Sequence, residues 1–307
     1  MSTNRDAISW KHSGLRSIAA VLVVASAACG TPEAEVKVDE HERHIPLQGQ
    51  ANFRDLGGYV TESGQVVRWG QVYRSGRLPQ LSDPDVSRLD SLGIRTVVNF
   101  LTPEEVEVEG HDRLPPVVRE VSQPIASGAA GDLTAVVVEA RRTGDFSKIP
   151  VDINPEIHRI LVEEARAEYA ALFRELADPA NRPLAFHCSH GIHRTGTAAA
   201  LLLALLGVPW ETIRADYLLS NDYRREEIEP RLEQLRKVAS ENQGIAPEQV
   251  DMTNAEAFYI LQGSYIDATY DEVMQSYGTF DNYFREGLGL SDQEIEQLRK
   301  ELLQDGG

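Results

Sequence analysis

The sequence predicts an α/β fold, in which helices flank a short, largely parallel sheet and the C-terminal half is helical. Two apolar runs, residues 94 to 100 and 184 to 186, have the composition of buried strands, and a helix-forming segment follows each of them. The chain after residue 207 carries helix-type patterns separated by short breaks. Because α/β proteins gather their binding sites at the carboxyl ends of parallel strands, both strand ends are candidate site positions.

Composition limits the possible functions. The chain has 307 residues and a formal net charge of −18, from 30 Lys and Arg against 48 Asp and Glu. This acidity argues against binding to nucleic acid or to an anionic membrane as the main role. It also disfavours highly phosphorylated substrates, unless the site is locally basic. The two cysteines, Cys29 and Cys188, are not expected to form a disulfide.

Residues 1 to 28 have the pattern of an export signal. Basic residues precede an apolar run that ends in small residues, IAAVLVVASAA over positions 18 to 28. The run is shorter than the roughly 20 residues of a membrane-spanning helix. Small residues directly before Cys29 resemble a bacterial lipoprotein cleavage site, which implies a lipid on Cys29 and a location at the periplasmic side of the cell envelope. Ordinary cleavage nearby and an uncleaved anchor are the alternatives.

A polar, charge-rich stretch with two prolines follows over residues 29 to 47. This composition is typical of a tether. The folded domain is therefore expected to span residues 48 to 307.

The first part of the domain contains short strands, turns and two helix starts. Paired glycines and alternating apolar residues mark the segments NFRDLGGY, from residue 52, and VYRSGRL, from residue 72. A helix is expected to begin at the N-cap Ser82 and to end before Gly93. A second helix is expected after Thr102, because Thr-Pro-Glu-Glu forms a capping box with proline at the first helical position.

The middle of the chain holds a long insertion. A strand is expected over residues 117 to 121, and one long amphipathic helix over residues 155 to 176. Between them, residues 122 to 155 are mixed, with a short helical run at 133 to 142. This insertion is predicted either to cover the site as a lid or to be a structural excursion.

Helices are expected throughout the C-terminal part. The segment WETIRADYLLS over residues 210 to 220 precedes a highly charged helix over 223 to 241. Residues 254 to 276 and 281 to 287 are rich in Tyr and Phe, which we expect in the core. Ser291 is expected to cap the last helix.

The stretch from residue 184 to residue 206 reads as strand, loop and helix. The loop is HCSHGIHRTG from residue 187, and five residues separate Cys188 from Arg194. Backbone N–H groups of a loop that closes on a helix N-terminus form an anion site. The positive electrostatic potential at such a site lowers the pKa of a cysteine thiol below its ordinary value of about 8.5. Cys188 is therefore a candidate nucleophile toward phosphorus, and Arg194 can hold two phosphate oxygens.

The rest of the loop has supporting roles in this interpretation. Gly191 allows the backbone to approach a ligand closely. The Thr195 hydroxyl is expected to donate to the Cys188 sulfur, which would ease departure of the thiolate. The predicted phosphate-binding residues are Ser189, His190, Gly191, Ile192, His193 and Arg194.

These residues resemble the His-Cys-x5-Arg-Ser/Thr-Gly signature of the cysteine-dependent protein tyrosine phosphatases. The segments Asn-Phe-Arg-Asp-Leu-Gly-Gly and Tyr-Arg-Ser-Gly resemble the start of a bacterial tyrosine phosphatase family that also includes lipid-phosphate phosphatases. The resemblance implies a tyrosine-phosphatase-like fold and a phosphocysteine intermediate on Cys188, without a metal or other cofactor. It implies a phosphotyrosine protein or a small phosphomonoester as substrate. Supporting positions are His187, Thr195, Arg54, Asp55 and Arg74, of which the last three are expected to brace the loop.

The sequence departs from that family at two positions. Where this strand of the family often ends in an aspartate that is a candidate general acid, this chain has Asn99, which cannot donate a proton as an acid. Where the family has Lys-Asp before the arginine, this chain has Ile192-His193, and loss of the lysine disfavours phosphoinositides. His193 can take over proton transfer because histidine titrates near neutrality. Asp112 and Asp152 are further candidate acids.

Two other classes of protein fit the same residues. The first is a phosphate-binding pseudophosphatase, which Asn99 favours. The second is a zinc-binding exported lipoprotein, because three histidines of the loop and Cys188 have the residue types of zinc ligands. A zinc site leaves Arg194 unexplained, since its charge repels a cation.

Overall fold

The computed structural model describes residues 41–125 and 149–306, together with positions 136, 139, 140, 143 and 145–147. The predicted export signal at residues 1 to 28 and the predicted lipidation of Cys29 lie outside these residues. So do residues 29 to 40 of the predicted tether and most of the helical run at 133 to 142.

The packed chain begins before the predicted boundary at residue 48. His44 forms an antiparallel β-bridge with Arg54. The Ile45 backbone N–H donates to the carbonyl oxygen of Phe53 at 3.1 Å, and the Ile45 side chain is buried. Residues 44 and 45 therefore belong to the folded unit and not to a tether.

A five-stranded sheet carries the fold. The strands of the chain are β1 (Arg54–Asp55), β2 (Val66–Val67), β3 (Val72–Ser75), β4 (Thr96–Asn99), β5 (Arg119–Ser122), β6 (Leu184–His187) and β7 (Leu303–Gln304). The order in the sheet is β1-β3-β6-β4-β5, and all pairs are parallel except the edge pair of β1 with β3. The predicted short, largely parallel sheet is thus confirmed.

The three inner strands fix the position of the loop that follows β6. Every residue of β3, β4 and β6 is buried. The register places His187, the last residue of β6, beside Asn99 of β4 and Ser75 of β3. The carboxyl ends of these parallel strands therefore lie together, and the next residue, Cys188, emerges at that edge.

Helices cover the sheet and make up most of the second half. They are α1 (Asp83–Ser91), α2 (Pro103–Glu109), α3 (Ile153–Glu164), α4 (Arg166–Ala177), α5 (Arg194–Leu205), α6 (Trp210–Tyr223), α7 (Arg225–Gln243), α8 (Thr253–Tyr259), α9 (Gly263–Tyr277), α10 (Phe280–Asn282) and α11 (Asp292–Leu302). A π-helical turn, Tyr283–Gly287, follows α10. The predicted helix caps at Ser82, Thr102 and Ser291 are confirmed, and each of them is a capping box.

The long helix predicted over residues 155 to 176 is in fact two helices. α3 and α4 meet at Ala165, whose backbone is no longer helical. α3 packs against α9, whereas α4 packs against α11. Because the apolar pattern runs through both halves, the sequence does not reveal that each half packs against a different helix.

Five of the six aromatic residues in the two predicted segments lie in the core, namely Phe258, Tyr259, Tyr265, Tyr283 and Phe284, whereas Tyr270 is 36% exposed. The last strand, β7, pairs with β2 and so joins the end of the described chain to its first part. In the part of the chain that the structure describes, no helix is both long and apolar enough to span a membrane.

Candidate active site

The loop from Cys188 to His193 joins β6 directly to α5. Cys188 is 3% exposed, and α5 begins at Arg194 with His193 as its N-cap residue. The predicted loop, which runs to residue 196, therefore extends three positions too far. The first N–H groups of a helix have no partner within the helix and carry partial positive charge, so the loop encloses an anion-binding position.

Gly191 is required where the loop passes β3. Its φ is +69°, and a Cβ there would lie 2.5 Å from the carbonyl oxygen of Ser75. A side chain would be strained by both the conformation and the contact. This close approach holds the loop against the end of the sheet.

Arg194 is fixed by a carboxylate of α2. Both guanidinium Nη atoms donate to Glu105, each at 2.7 Å, and Nη1 also donates to the carbonyl oxygen of Phe100 at 3.0 Å. Burial opposes the charge of Arg194, but the Glu105 hydrogen bonds and the negative charges of Cys188 and Glu109 raise its pKa above the ordinary value. Arg194 is therefore a permanent cation close to Cys188.

A second carboxylate of α2 reaches the loop itself. Glu109 lies one helical turn after Glu105, so both face the same side of α2. Its Oε1 accepts a hydrogen bond from the Ser189 hydroxyl at 2.5 Å, and its Oε2 lies 3.7 Å from Nη1 of Arg77. The wall of the site opposite α5 is therefore acidic.

Asn52 and Arg74 support the loop through its carbonyl groups. The Arg74 guanidinium donates to the carbonyl oxygen of Gly191 at 2.9 Å, and the Asn52 amide donates to that of His190 at 3.2 Å. When these carbonyls point toward Arg74 and Asn52, the N–H groups of the following residues point the other way. The loop is thus held in the orientation that binds anions.

Arg54 and Arg74 converge on Asp216 of α6. The shortest distances are 3.1 Å from Arg54 Nε and 2.6 Å from Arg74 Nη1, and all three side chains are buried. Tyr59 donates to the same carboxylate at 2.9 Å. Burial opposes the charge of Asp216, but the two arginines hold its pKa well below the usual range. Burial and the charge of Arg54 lower the pKa of Arg74 to about 10.

The predicted bracing by Arg54, Asp55 and Arg74 divides into three different roles. Arg74 touches the loop directly, whereas Arg54 acts through Asp216 and through Asn52 Oδ1 at 2.5 Å. Asp55 instead accepts the backbone N–H groups of Gly57 and Gly70, each at 2.7 Å. Its side chain therefore orders the turns after β1, and its assignment as a loop brace was wrong.

His187 is fully buried and bonds to Asp112, with 2.6 Å between Nε2 and Oδ2. Asp112 also accepts from the Asn99 amide at 3.1 Å and from the backbone N–H of Leu78 at 3.3 Å. Both oxygens of Asp112 are thus engaged beneath the loop, where no leaving group can reach them. Asp112 is therefore not the general acid, and Asn99 ties the end of β4 to the same cluster.

His193 faces α3 and α8. Its Nε2 lies 2.6 Å from Oδ1 of Asn154, whose amide nitrogen donates to the carbonyl oxygen of Ala257 at 2.7 Å. Because the amide nitrogen must donate to a carbonyl, Oδ1 is the acceptor, and Nε2 of His193 carries a proton. Asp152 is exposed at the start of α3 and makes no side-chain cap.

A further histidine, His158 of α3, contacts α5 from the interior. Its Nδ1 lies 2.8 Å from the Thr197 hydroxyl, and its Nε2 lies 3.1 Å from the Tyr217 hydroxyl. Burial, with a smaller effect of Arg74, lowers the pKa of His158 to about 3. This histidine is therefore neutral at physiological pH.

One expectation for the loop, the bond from Thr195 to Cys188, fails in the structure, and the described residues do not support the alternative zinc site. The Thr195 hydroxyl is buried and has no hydrogen-bond partner among the described residues, so the predicted bond to Cys188 is not formed. The loop histidines also point to different partners, His187 to Asp112 and His193 to Asn154. Within the described ranges, no group of three or more His, Cys, Asp or Glu could hold a metal ion.

The sequence model of the tyrosine phosphatase family matches residues 45–304, which is nearly the whole described chain. The chain belongs to the tyrosine phosphatase family. It is therefore a phosphatase, as the loop signature predicts.

Relatives in this family match over most of their length. A protein of Cupriavidus necator named as a tyrosine-protein phosphatase is 30% identical over 276 residues, covering 89% of this chain and 94% of that protein. The triple specificity protein phosphatase PtpB of Mycobacterium tuberculosis is 27% identical over 277 residues, covering 84% of this chain and 98% of that protein. Among solved structures, TpbA of P. aeruginosa aligns with 20% identity and a TM-score of 0.31, covering 65% of this chain and 96% of that one.

Sequence reasoning missed several residues of this tyrosine phosphatase site. Glu105 was recognised only as part of a capping box, and Glu109 was not singled out. Asn52 stands inside a segment that resembles the family and Asp216 inside a predicted helix, but neither was given a role. The spacing of Glu105 and Glu109, one turn apart after a strand end, was a signal that the α2 face meets the loop.

Proposed function

We propose that this protein is a protein tyrosine phosphatase that acts through a phosphocysteine on Cys188. The observation that carries the proposal is the loop between β6 and α5, where a buried cysteine lies at a helix N-terminus beside a permanently charged arginine. This arrangement supplies a nucleophile and a binding position for the three non-bridging oxygens of a phosphoryl group.

In the first step, the Cys188 thiolate attacks phosphorus and the bond from phosphorus to the phenolic oxygen breaks. The N–H groups of residues 189 to 194 and the Arg194 guanidinium bind the equatorial oxygens as their charge changes. A proton passes to the leaving oxygen. In the second step, water attacks the phosphocysteine, the S–P bond breaks, and inorganic phosphate leaves with the thiolate restored.

Two side chains, held by different helices, are candidates for the proton donor. His193 stands directly before Arg194, and its ring is oriented by Asn154. Glu109 stands on α2, with Ser189 as hydrogen-bond partner. We propose His193 as the acid, because the ring can carry a second proton while Nε2 keeps its bond to Asn154.

The nucleophile is tested by hydrolysis of para-nitrophenyl phosphate in the presence of a chelator. Wild-type protein is expected to turn the substrate over, and Cys188→Ser is expected to lose at least about a thousandfold, because the hydroxyl is a far poorer nucleophile than the thiolate. A wild-type protein that binds vanadate but hydrolyses nothing would instead be a pseudophosphatase.

The proton donor is tested with His193→Gln and Glu109→Gln as a matched pair. Loss of the acid slows an alkyl phosphate far more than an aryl phosphate, because an alkoxide leaves poorly without a proton. His193→Gln is expected to lose about 10²–10³-fold on phosphoserine peptide relative to para-nitrophenyl phosphate. If Glu109→Gln shows that pattern and His193→Gln does not, the acid is Glu109.

We also propose that the mature protein is a lipoprotein of the cell envelope, anchored through Cys29. The support is the apolar run with small residues before Cys29. Metabolic labelling with a fatty acid in a bacterial host is expected to mark the wild-type chain and not Cys29→Ala. Label that persists in Cys29→Ala would contradict the anchor.

A further inference from the structure

A cavity of about 460 Å³ opens beside the phosphate loop, on the side formed by the segment before β1, the segment after β3 and the start of α7. Ser189 and His190, the two residues after Cys188, form part of its wall. Small-molecule sites commonly have volumes of roughly 300–1,000 Å³. The cavity is therefore large enough for a second chemical group of a substrate whose phosphate lies against Cys188.

The wall of this cavity is positively charged, whereas the chain as a whole is negatively charged. Arg77, Arg224 and Arg231 line it, and Glu227 is the one carboxylate among its described lining residues. Arg77 also pairs with Glu109, 3.7 Å away, so Arg224 and Arg231 give the wall its net positive charge. The whole chain carries a formal charge of −18. Three arginines around one concave surface of an acidic protein raise the local concentration of anions and not of cations.

The arginines are held at different depths. Arg224, the residue between α6 and α7, is only 3% exposed. Arg77 is partly exposed and lies 3.7 Å from Glu109, and Arg231 bonds to Gln234 at 2.8 Å near the rim. A guanidinium that is already ordered loses little conformational entropy when it binds phosphate or carboxylate oxygens.

The floor between the cavity and the loop is also ordered. The Gln50 side chain donates to the carbonyl oxygen of Arg77 at 2.8 Å and accepts the backbone N–H of Asn52 at 2.8 Å. Asn52 in turn holds the loop at His190. The cavity and the phosphate loop therefore share one rigid wall, so the distance between their two anion positions is fixed.

We propose that this cavity is a second anion subsite, which selects phosphomonoesters that carry another phosphate or carboxylate group near the reacting phosphate. The proposal rests on the phosphatase function above, since the reacting phosphate must lie in the loop. Successive residues are about 3.8 Å apart, so the cavity wall begins within roughly 4–8 Å of the nucleophile. A doubly phosphorylated or acidic phosphotyrosine peptide spans that distance.

The test compares the ratio of kcat/KM for two phosphotyrosine peptides, one with alanine and one with aspartate or a second phosphotyrosine beside the reacting residue. The wild-type protein is expected to favour the second peptide, and Arg231→Gln to lower the ratio about five- to tenfold. Arg225→Gln is the matched control, because Arg225 is exposed on the same helix and pairs with Asp222. Its ratio is expected to stay at the wild-type value.

A gain of selectivity gives a result that misfolding cannot produce. Glu227→Gln removes the only carboxylate among the described residues that line the cavity, and the preference for the dianionic peptide is expected to rise about two- to threefold. Equal ratios in wild-type, Arg231→Gln and Glu227→Gln proteins would overturn the subsite. The aspartate and phosphotyrosine arms, together with inositol bisphosphate, distinguish carboxylate from phosphate as the preferred group.

Binding separates the subsite from the catalytic proposal. The same peptides are titrated into Cys188→Ser, alone and combined with Arg231→Gln. If the wild-type protein is inert but the dianionic peptide still binds more tightly and depends on Arg231, the subsite stands and the phosphatase mechanism falls. If catalysis proceeds and neither rate nor binding depends on Arg231, the mechanism stands and the subsite falls.

Discussion

Two buried polar networks reach the loop and its helix, and they differ in charge. In the first, Arg74 links Gly191 of the loop to Asp216, and the network is fully ionised. In the second, His158 links Thr197 of α5 to Tyr217, and the network is neutral. The adjacent residues Asp216 and Tyr217 of α6 thus belong to different networks, the first charged and the second neutral.

The difference shows that buried polar groups beside the same loop and helix can be stabilised in two ways, as paired charges or as neutral hydrogen-bonded groups. A charged cluster is stable only when it is complete, because removal of one partner leaves a buried charge uncompensated. A neutral cluster is stable only while it stays neutral, since a proton added in the interior has no counter-ion. The charged network is therefore destabilised by loss of one partner, and the neutral network by protonation. The following substitutions and pH changes distinguish the two effects.

The largest effect is expected from Asp216→Asn. This change keeps the shape of the side chain but leaves Arg54 and Arg74 buried without their counter-charge, which costs about 3–5 kcal/mol of the free energy of unfolding. Denaturant unfolding measures the loss as a shift of the midpoint.

The matched control is Asp222→Asn on the same helix. Asp222 is exposed and pairs with Arg225 at the surface, so its loss is expected to cost less than about 1 kcal/mol. If the two variants lose similar stability, the buried cluster does not depend on its charge.

An effect that is smaller for each pH unit is expected from the neutral network as the pH falls. The pKa of His158 is about 3 in the folded protein, against roughly 6.5 in an unfolded chain. The unfolded state therefore binds the extra proton between these values, and stability is lost as the pH drops from about 6.5 toward 3, by up to about 1.4 kcal/mol per pH unit. The low pKa of Asp216 acts only below the ordinary carboxyl range of about 4.

His158→Gln is expected to flatten the dependence of unfolding free energy on pH between about 6.5 and 4, whatever its absolute stability. The control is His111→Gln, since His111 is exposed. A His158→Gln protein with the wild-type slope would show that the buried ring does not control the acid sensitivity.

The smallest losses of stability are expected on removal of two tyrosine hydroxyls, one from each network. Which loss is larger tests the difference between the charged and the neutral network. Tyr59→Phe removes one donor from Asp216, which keeps both arginines, so a loss of about 0.5–1.5 kcal/mol is expected. Tyr217→Phe removes the partner of a buried His158 nitrogen, and about 1–3 kcal/mol is expected. Denaturant unfolding of both variants measures the two losses of stability. A larger loss in Tyr59→Phe than in Tyr217→Phe would contradict the expected order.

Much of the fold follows from local sequence. Ser82, Thr102 and Ser291 mark helix starts because their capping chemistry involves residues within one turn. Buried strands such as Leu184–His187 are visible from composition alone. The break at Ala165 and the pairing of β2 with β7 are not visible, because they depend on partners far away in the chain.

The site divides in the same way. Cys188, Gly191 and Arg194 are recognisable because they lie within one short loop. Asp216 is 162 residues from Arg54 and 142 from Arg74, and no local pattern states that they meet. The expectation for Thr195 is wrong for a related reason, since a residue type gives its chemistry and not the direction in which its side chain points. For the same reason the sequence left Asp112 as one of several candidate acids.

Glu105 connects the phosphate-binding residue Arg194 to the first turn of α2. One of its oxygens, Oε2, accepts both the backbone N–H of Thr102, at 2.9 Å, and Nη1 of Arg194, at 2.7 Å. A phosphate that binds the Arg194 guanidinium competes with Glu105 for the same N–H donors, and so changes the charge balance at the oxygen that also accepts the Thr102 N–H in the first turn of α2. Helix fraying and ligand occupancy are thus thermodynamically linked, so each must change the other by the same factor. Amide hydrogen exchange at the start of α2 would register the arrival of a ligand that never touches that helix.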